Sequence, residues 1–101
     1  MTNPTVSEIL ANVFGSDFSG ATQEQRLLLL EAVALTLRKG GAWQHNFRLV
    51  CSRPGIHKMI PNECFPCIEI TRNEGMKLMA ILNVAIVEGY SVLVASERLR
   101  T

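Results

Sequence analysis

Between Gln23 and Lys39 the chain runs seventeen residues without a glycine or a proline, and no other stretch constrains the fold as strongly. The run is rich in Leu, Ala, Glu, Gln and Arg, which lose little on entering a helix. Thr22 and Gln25 have capping-box spacing, so each side chain can serve the other's backbone N–H at a helix start. Gly40-Gly41 then supplies the stop. Leu27 to Leu30, Ala32 to Leu35 and Leu37 go nearly all the way round this predicted 22–39 helix. Only a narrow polar strip remains near Gln23, Glu24, Arg26, Glu31 and Arg38. Such a helix is either the central element of the fold or offers one face to another chain.

The same rules place the remaining elements. Thr5 and Glu8 form a capping box, and Val6, Ile9, Leu10, Val13 and Phe14 share one helical stripe ended by Gly15, which predicts a helix over about 5–14. Residues 16–21 carry turn chemistry. After the Gly-Gly break, Phe47-Arg48-Leu49-Val50-Cys51 shows alternation and β-forming residues and reads as a strand. Ser52 to Asn62, with Pro54, Gly55 and Pro61, reads as a loop. Phe65 to Ile70 reads as a second strand placed at an edge by Pro66. Thr71 and Glu74 make a third capping box before a helix over 74–88 that Gly89 would end, and Val92-Leu93-Val94 then predicts a strand over Ser91 to Ala95 before a polar tail, Glu97 to Thr101. Asn83, within that apolar helix, would hydrogen-bond a backbone group or its symmetry mate in the core and so specify register. The expected order is α-α-β-β-α-β, an α+β domain of two N-terminal helices, a small sheet and a further helix.

A chain of 101 residues holds one domain, spanning 1–101. Hydrophobic residues are 48% and charged residues 19% of it, an apolar balance for a small domain and one that points to surface covered by another chain. A homo-oligomer formed through the 22–39 or the 74–88 helix is the simplest arrangement. The N-terminus shows no basic leader, and the longest apolar run, Leu78 to Val87, falls short of a bilayer span and contains Asn83. A soluble, cytoplasmic protein with no membrane partner is expected.

Charge is unevenly placed. From Ala32 to Pro61 there is no acid, while Arg38, Lys39, Arg48, Arg53 and Lys58 fall there, interleaved with Trp43, His45, Phe47 and His57. Cations interleaved with flat rings can hold a phosphate or carboxylate and accept a base or sugar. Ser52 to Lys58 adds a hydroxyl and backbone amides. The candidate ligand-binding residues are Arg38, Lys39, Trp43, His45, Arg48, Arg53, His57 and Lys58. The bland reading places Arg38 and Lys39 at a helix C-terminus, where cations are favoured in any case, and the others in solvent. A net charge of only +1 and the lack of a reading element disfavour extended nucleic acid.

Cysteine spacing offers two further chemistries. Cys64-Phe65-Pro66-Cys67 resembles, over four residues, the active-site spelling of thioredoxin-like oxidoreductases, which implies a reversible disulfide. In that family a buried strand precedes the motif and a helix that activates the thiol follows it; here Ile60-Pro61-Asn62-Glu63 precedes, a predicted strand follows, and Glu63 would oppose a thiolate. Cys51, His57, Cys64 and Cys67 are the right types for a Cys3His zinc site but lack a second tight knuckle, and the alternative is cysteines acting as small hydrophobes. No nucleophile, base and orienting group are spaced for catalysis. The reading that results is a small non-enzymatic binding protein without cofactor, of inhibitor, adaptor or ligand-sequestering type. It would hold an anionic ligand such as a nucleotide, or an acidic protein surface, with its 38–58 segment. The alternative is a protein–protein interaction module acting through an apolar helix face, with the basic patch incidental.

Overall fold

Thr5 and Thr22 open helices as their spacing predicts. In the computed structural model, which describes residues 4–100, the Glu8 backbone N–H donates to Thr5 Oγ1 at 3.2 Å and the Gln25 N–H to Thr22 Oγ1 at 3.1 Å. Both boxes are reciprocal, and they start α1 (Val6–Phe14) and α2 (Gln23–Lys39). The turn between these helices is tight: the Gly20 N–H donates to the Phe14 carbonyl at 2.8 Å, and Phe18 takes a left-handed φ of 59° while its ring is buried.

After Lys39 the chain departs from the α+β expectation. Among the described residues there is no strand; the chain continues as α3 (Trp43–Val50), two short 3-10 turns at Ile56–Met59 and Asn62–Cys64, and α4 (Arg72–Arg100). The domain is all-α. The predicted 47–51 strand forms the second half of α3, with Cys51 at its C-cap. Its inward residues Trp43, Asn46 and Phe47 stand at helical spacing, and that period outranks the β propensity of a five-residue window. Nothing in the sequence marks its start, because Ala42 at the N-cap has no capping side chain. The Trp43 N–H is satisfied instead by the Ile68 carbonyl, 2.9 Å away.

The predicted 65–70 strand is an irregular segment. Phe65, Ile68 and Ile70 pack against the core, and the segment lies along helices without joining a ladder. The predicted 91–95 strand and most of the polar tail belong to α4, which passes through Gly89 without stopping. Thr101 lies outside the described residues. Gly89 is a crossing point: Gln23 and Arg26 of α2 reach over it, so that Gln23 Nε2 donates to the Ile86 carbonyl at 2.7 Å and an Arg26 Nη1–H to the Ala85 carbonyl at 3.4 Å. A Cβ there would collide with both side chains.

α2 is the central element, packed on α4 and on α3. The core joins Leu10 and Phe14 of α1, Leu29 and Val33 of α2, Trp43 and Phe47 of α3, and Leu78 and Leu82 of α4. A buried polar link spans α2 and α3: Asn46 Nδ2 donates to Thr36 Oγ1 at 3.2 Å and to the Gly40 carbonyl at 3.0 Å, and Thr36 Oγ1 donates to the Ala32 carbonyl. At the start of α4 only half of the third box forms. Thr71 Oγ1 accepts from the Glu74 N–H, while the Glu74 carboxylate turns to α1 and accepts from both the N–H and the hydroxyl of Ser7 at 3.0 Å. An acid at the positive end of α1 is favoured by the helix dipole, so Glu74 ties the two N-termini together. Asn83 is exposed and takes no part in the core. No described helix is long and apolar enough to cross a membrane.

Candidate functional site

α3 presents two faces because its apolar residues recur at helical spacing. Trp43, Asn46 and Phe47 point inward, and His45, Arg48 and Leu49 point to solvent. Ser52 stands one turn beyond Arg48, and its hydroxyl donates to the Leu49 carbonyl at 2.8 Å as the helix ends. Opposite this end lies the Asn62–Cys64 turn. The Trp43 indole N–H donates to the Cys64 carbonyl at 2.8 Å, which, with the Trp43 N–H bond to Ile68, holds the 62–68 segment against α3. Phe65 is thereby laid on Phe47, ring centroids 4.7 Å apart in a stacked arrangement. Over the Phe65 ring sits the Arg48 guanidinium, 5.6 Å from its centroid.

Between α3 and the turn is a cleft of about 370 Å³ lined by Arg48, Cys51, Ser52, Asn62 and Phe65. It gathers a guanidinium, a hydroxyl, a carboxamide and an aromatic ring over a thiol. A guanidinium held over a ring by cation–π attraction makes no hydrogen bond in doing so, and its N–H donors are the groups that read a carboxylate or phosphate. Glu63, beside Asn62 in sequence, is exposed and does not line the cleft.

Of the sequence-predicted ligand residues whose side chains are described, Arg48 alone lines this cleft. Arg38 and Lys39 are exposed in the last turn of α2, where they complement its dipole. Trp43 is 0% exposed, so its ring is core and not a platform for a ligand. His45 is exposed on the outer face of α3, and Arg53 and Lys58 are exposed in the following segment. The His57 side chain lies outside the described residues. The 52–58 loop uses its amides internally: the Ile56 N–H donates to the Arg53 carbonyl and the Lys58 N–H to the Gly55 carbonyl. Those two donors are therefore committed. Asn62 and Phe65 reach the site through tertiary bonds from Trp43, which no local pattern announces.

The three cysteines are free thiols, Cys51 and Cys64 buried and Cys67 exposed. Burial pushes the Cys51 thiol up, with a smaller push from Glu31, and burial then Glu63 raise Cys64 to about 12. Both are held as neutral thiols, the reverse of what a redox nucleophile needs. The helix that would activate Cys64 is replaced by a 3-10 turn leading into irregular chain. Among the described residues no group of three or more His, Cys, Asp and Glu side chains is disposed to hold a metal ion.

Comparison with protein-family models, with curated proteins and with solved structures finds no match to this chain.

Proposed function

We propose that this protein is a small non-enzymatic binding protein that takes an anionic group, carboxylate or phosphate, in the cleft between α3 and the Asn62–Cys64 turn. The observation that carries the reading is Arg48: its guanidinium lies over Phe65 at the edge of a cleft whose other polar side chains are Ser52 and Asn62. Arg48 supplies charge and a forked donor and the Asn62 carboxamide a neutral N–H donor, while the Ser52 hydroxyl donates to the Leu49 carbonyl and Phe65, stacked on Phe47, supports the guanidinium from below. The volume suits a nucleotide-sized molecule better than an extended polyanion, for which the one cation among the described lining residues is too little. Arg53 and Lys58, outside the lining, add a general positive field.

The test is calorimetric titration with inorganic phosphate and with a nucleoside monophosphate, at low and at moderate salt. Arg48→Ala is expected to weaken binding by tenfold or more, about 1.5–3 kcal/mol for a hydrogen bond to a charged group. Arg53→Ala with Lys58→Ala should lower affinity only at low salt. An affinity that Arg48→Ala leaves unchanged removes the cleft as the site. Binding of neither probe, with capture of an acidic peptide lost in Arg48→Ala, makes the ligand a protein surface.

A further inference from the structure

α4 has more apolar surface than the fold uses. Leu78, Leu82, Ala85 and Ile86 are buried against the rest of the chain, yet Ile81 is 40% and Val84 58% exposed on the flank beside Ala85, with Ala80 next to them. These residues sit in a groove of about 400 Å³ between α4 and the turn after α1, lined by Asp17, Ala80, Ile81, Val84, Ala85 and Glu88. Isolated exposed hydrophobics need no explanation, but a groove lined by four apolar side chains and closed by two acids does.

Lys77, Ile81, Val84 and Glu88 follow one another at intervals of four, three and four residues, the spacing of a single helical stripe. The stripe is symmetric about a point between Leu82 and Asn83. Ile81 and Val84 are equidistant from that point, so are Ala80 and Ala85, and so are Lys77 and Glu88 at the two ends. Residues equidistant from a two-fold axis face each other when two copies of a helix pack antiparallel across it. Running from cation through apolar centre to anion, the stripe is therefore complementary to itself when reversed. Parallel packing would set Lys77 on Lys77 and Glu88 on Glu88.

We propose that this face is the interface of an isologous homodimer in which α4 of a second copy of the chain lies antiparallel in the groove. Ile81 meets Val84 of the other copy at the axis, and Lys77 reaches the acidic end formed by Glu88 and Asp17 of the other copy. Lys77 and Glu88 are about 16 Å apart along the helix at 1.5 Å per residue, so the two charge contacts bracket the apolar centre as a polar rim. Charge complementarity selects a second copy over an unrelated partner, because the match in sign and spacing is internal to one helix.

Sedimentation equilibrium of the wild type, Lys77→Glu, Glu88→Lys and an equimolar mixture of the two variants tests this arrangement. The wild type should be dimeric, and each reversal, which sets like charges together twice per dimer, should lower association by about tenfold or more. The mixture should restore association as a heterodimer, since every charge contact is then between opposite signs. Both positions are exposed, and circular dichroism confirms that each variant keeps its helices. Val84→Arg, at the axis, should give a folded monomer. A monomeric wild type, a dimer indifferent to these variants, or a mixture no more associated than its components would each overturn the proposal.

Discussion

Replacing Gly89 by alanine separates two explanations of a glycine near the middle of a long helix. If the residue were a helix stop in the left-handed region, alanine would cost about 1 kcal/mol through backbone strain, whatever surrounds it. Gly89 is instead within α4 and is not among the glycines of positive φ, so alanine suits its backbone and should contribute about 1 kcal/mol of helix propensity. Its added methyl, however, occupies the path of Gln23 and Arg26. Displacing them breaks the bonds from Gln23 to the Ile86 carbonyl and from Arg26 to the Ala85 carbonyl, and the 3.1 Å bond from Arg26 to Gln23 Oε1. At about 1 kcal/mol each these outweigh the propensity gain, for a net loss of about 2 kcal/mol. In a domain of this size that lowers Tm by roughly 8–16 °C. In a Gln23→Ala, Arg26→Ala background the bonds are already gone, and the same Gly89→Ala change should then raise stability by about 1 kcal/mol. Urea denaturation of the four chains gives the coupling. Equal destabilisation by Gly89→Ala in both backgrounds would refute the crossing role.

Cys64 makes stability depend on alkaline pH. Its folded pKa of about 12 lies above the ordinary 9.0, so the unfolded chain releases this proton first. Stability is then undiminished below pH 9 and falls as pH rises from about 9 to 12, by up to about 4 kcal/mol from this group at 1.36 kcal/mol per pKa unit. A urea midpoint that does not fall from pH 8 to pH 10.5, or falls as steeply in Cys64→Ala, would count against this. In the native state a thiol reagent should modify Cys67 rapidly and Cys51 and Cys64 only as the chain opens, because the latter two are buried. Asn46→Leu leaves the Thr36 hydroxyl and the Gly40 carbonyl without their donor, and should cost about 2 kcal/mol in chemical denaturation. A loss under about 0.5 kcal/mol would show that water replaces the side chain.

The parts of the fold legible in the sequence are those stabilised locally. Thr5 with Glu8 and Thr22 with Gln25 meet their partners three residues away, and these two helices begin where the spacing says. α3 fails that test. Its start is secured by Ile68, far along the chain, and Gly40-Gly41 precedes it with no capping side chain, so the β-forming residues Phe47 to Cys51 dominate a local reading. Thr71 with Glu74 shows an intermediate case: the hydroxyl does its local work, while the carboxylate is drawn to Ser7. At Gly89 the local rule gives the wrong sign, since a glycine that admits a neighbour's side chains reads the same as one that ends a helix.

The basic segment shows why charge along a chain is a poor guide to charge in space. Winding residues 43–50 into a helix, where 47–51 reads as a strand, sets successive side chains about 100° apart instead of 180°, which gathers Trp43, Asn46 and Phe47 on the inner face, leaves Arg48 outside, and brings Ser52 a turn away from Arg48. Arg38 and Lys39 stay at the end of α2 and the 52–58 loop folds on its own amides, so the patch disperses. Arg48 remains in a cleft because Trp43 draws the 62–68 segment across α3 and sets Phe65 beneath the guanidinium. The tryptophan that the sequence offers as a ligand platform acts one step removed: it builds the wall on which the cation rests. Trp43→Phe keeps an aromatic ring in the core but deletes the indole donor to Cys64, so it should loosen Asn62 and Phe65 and, in the calorimetric titration, weaken the proposed anion binding without touching the anion.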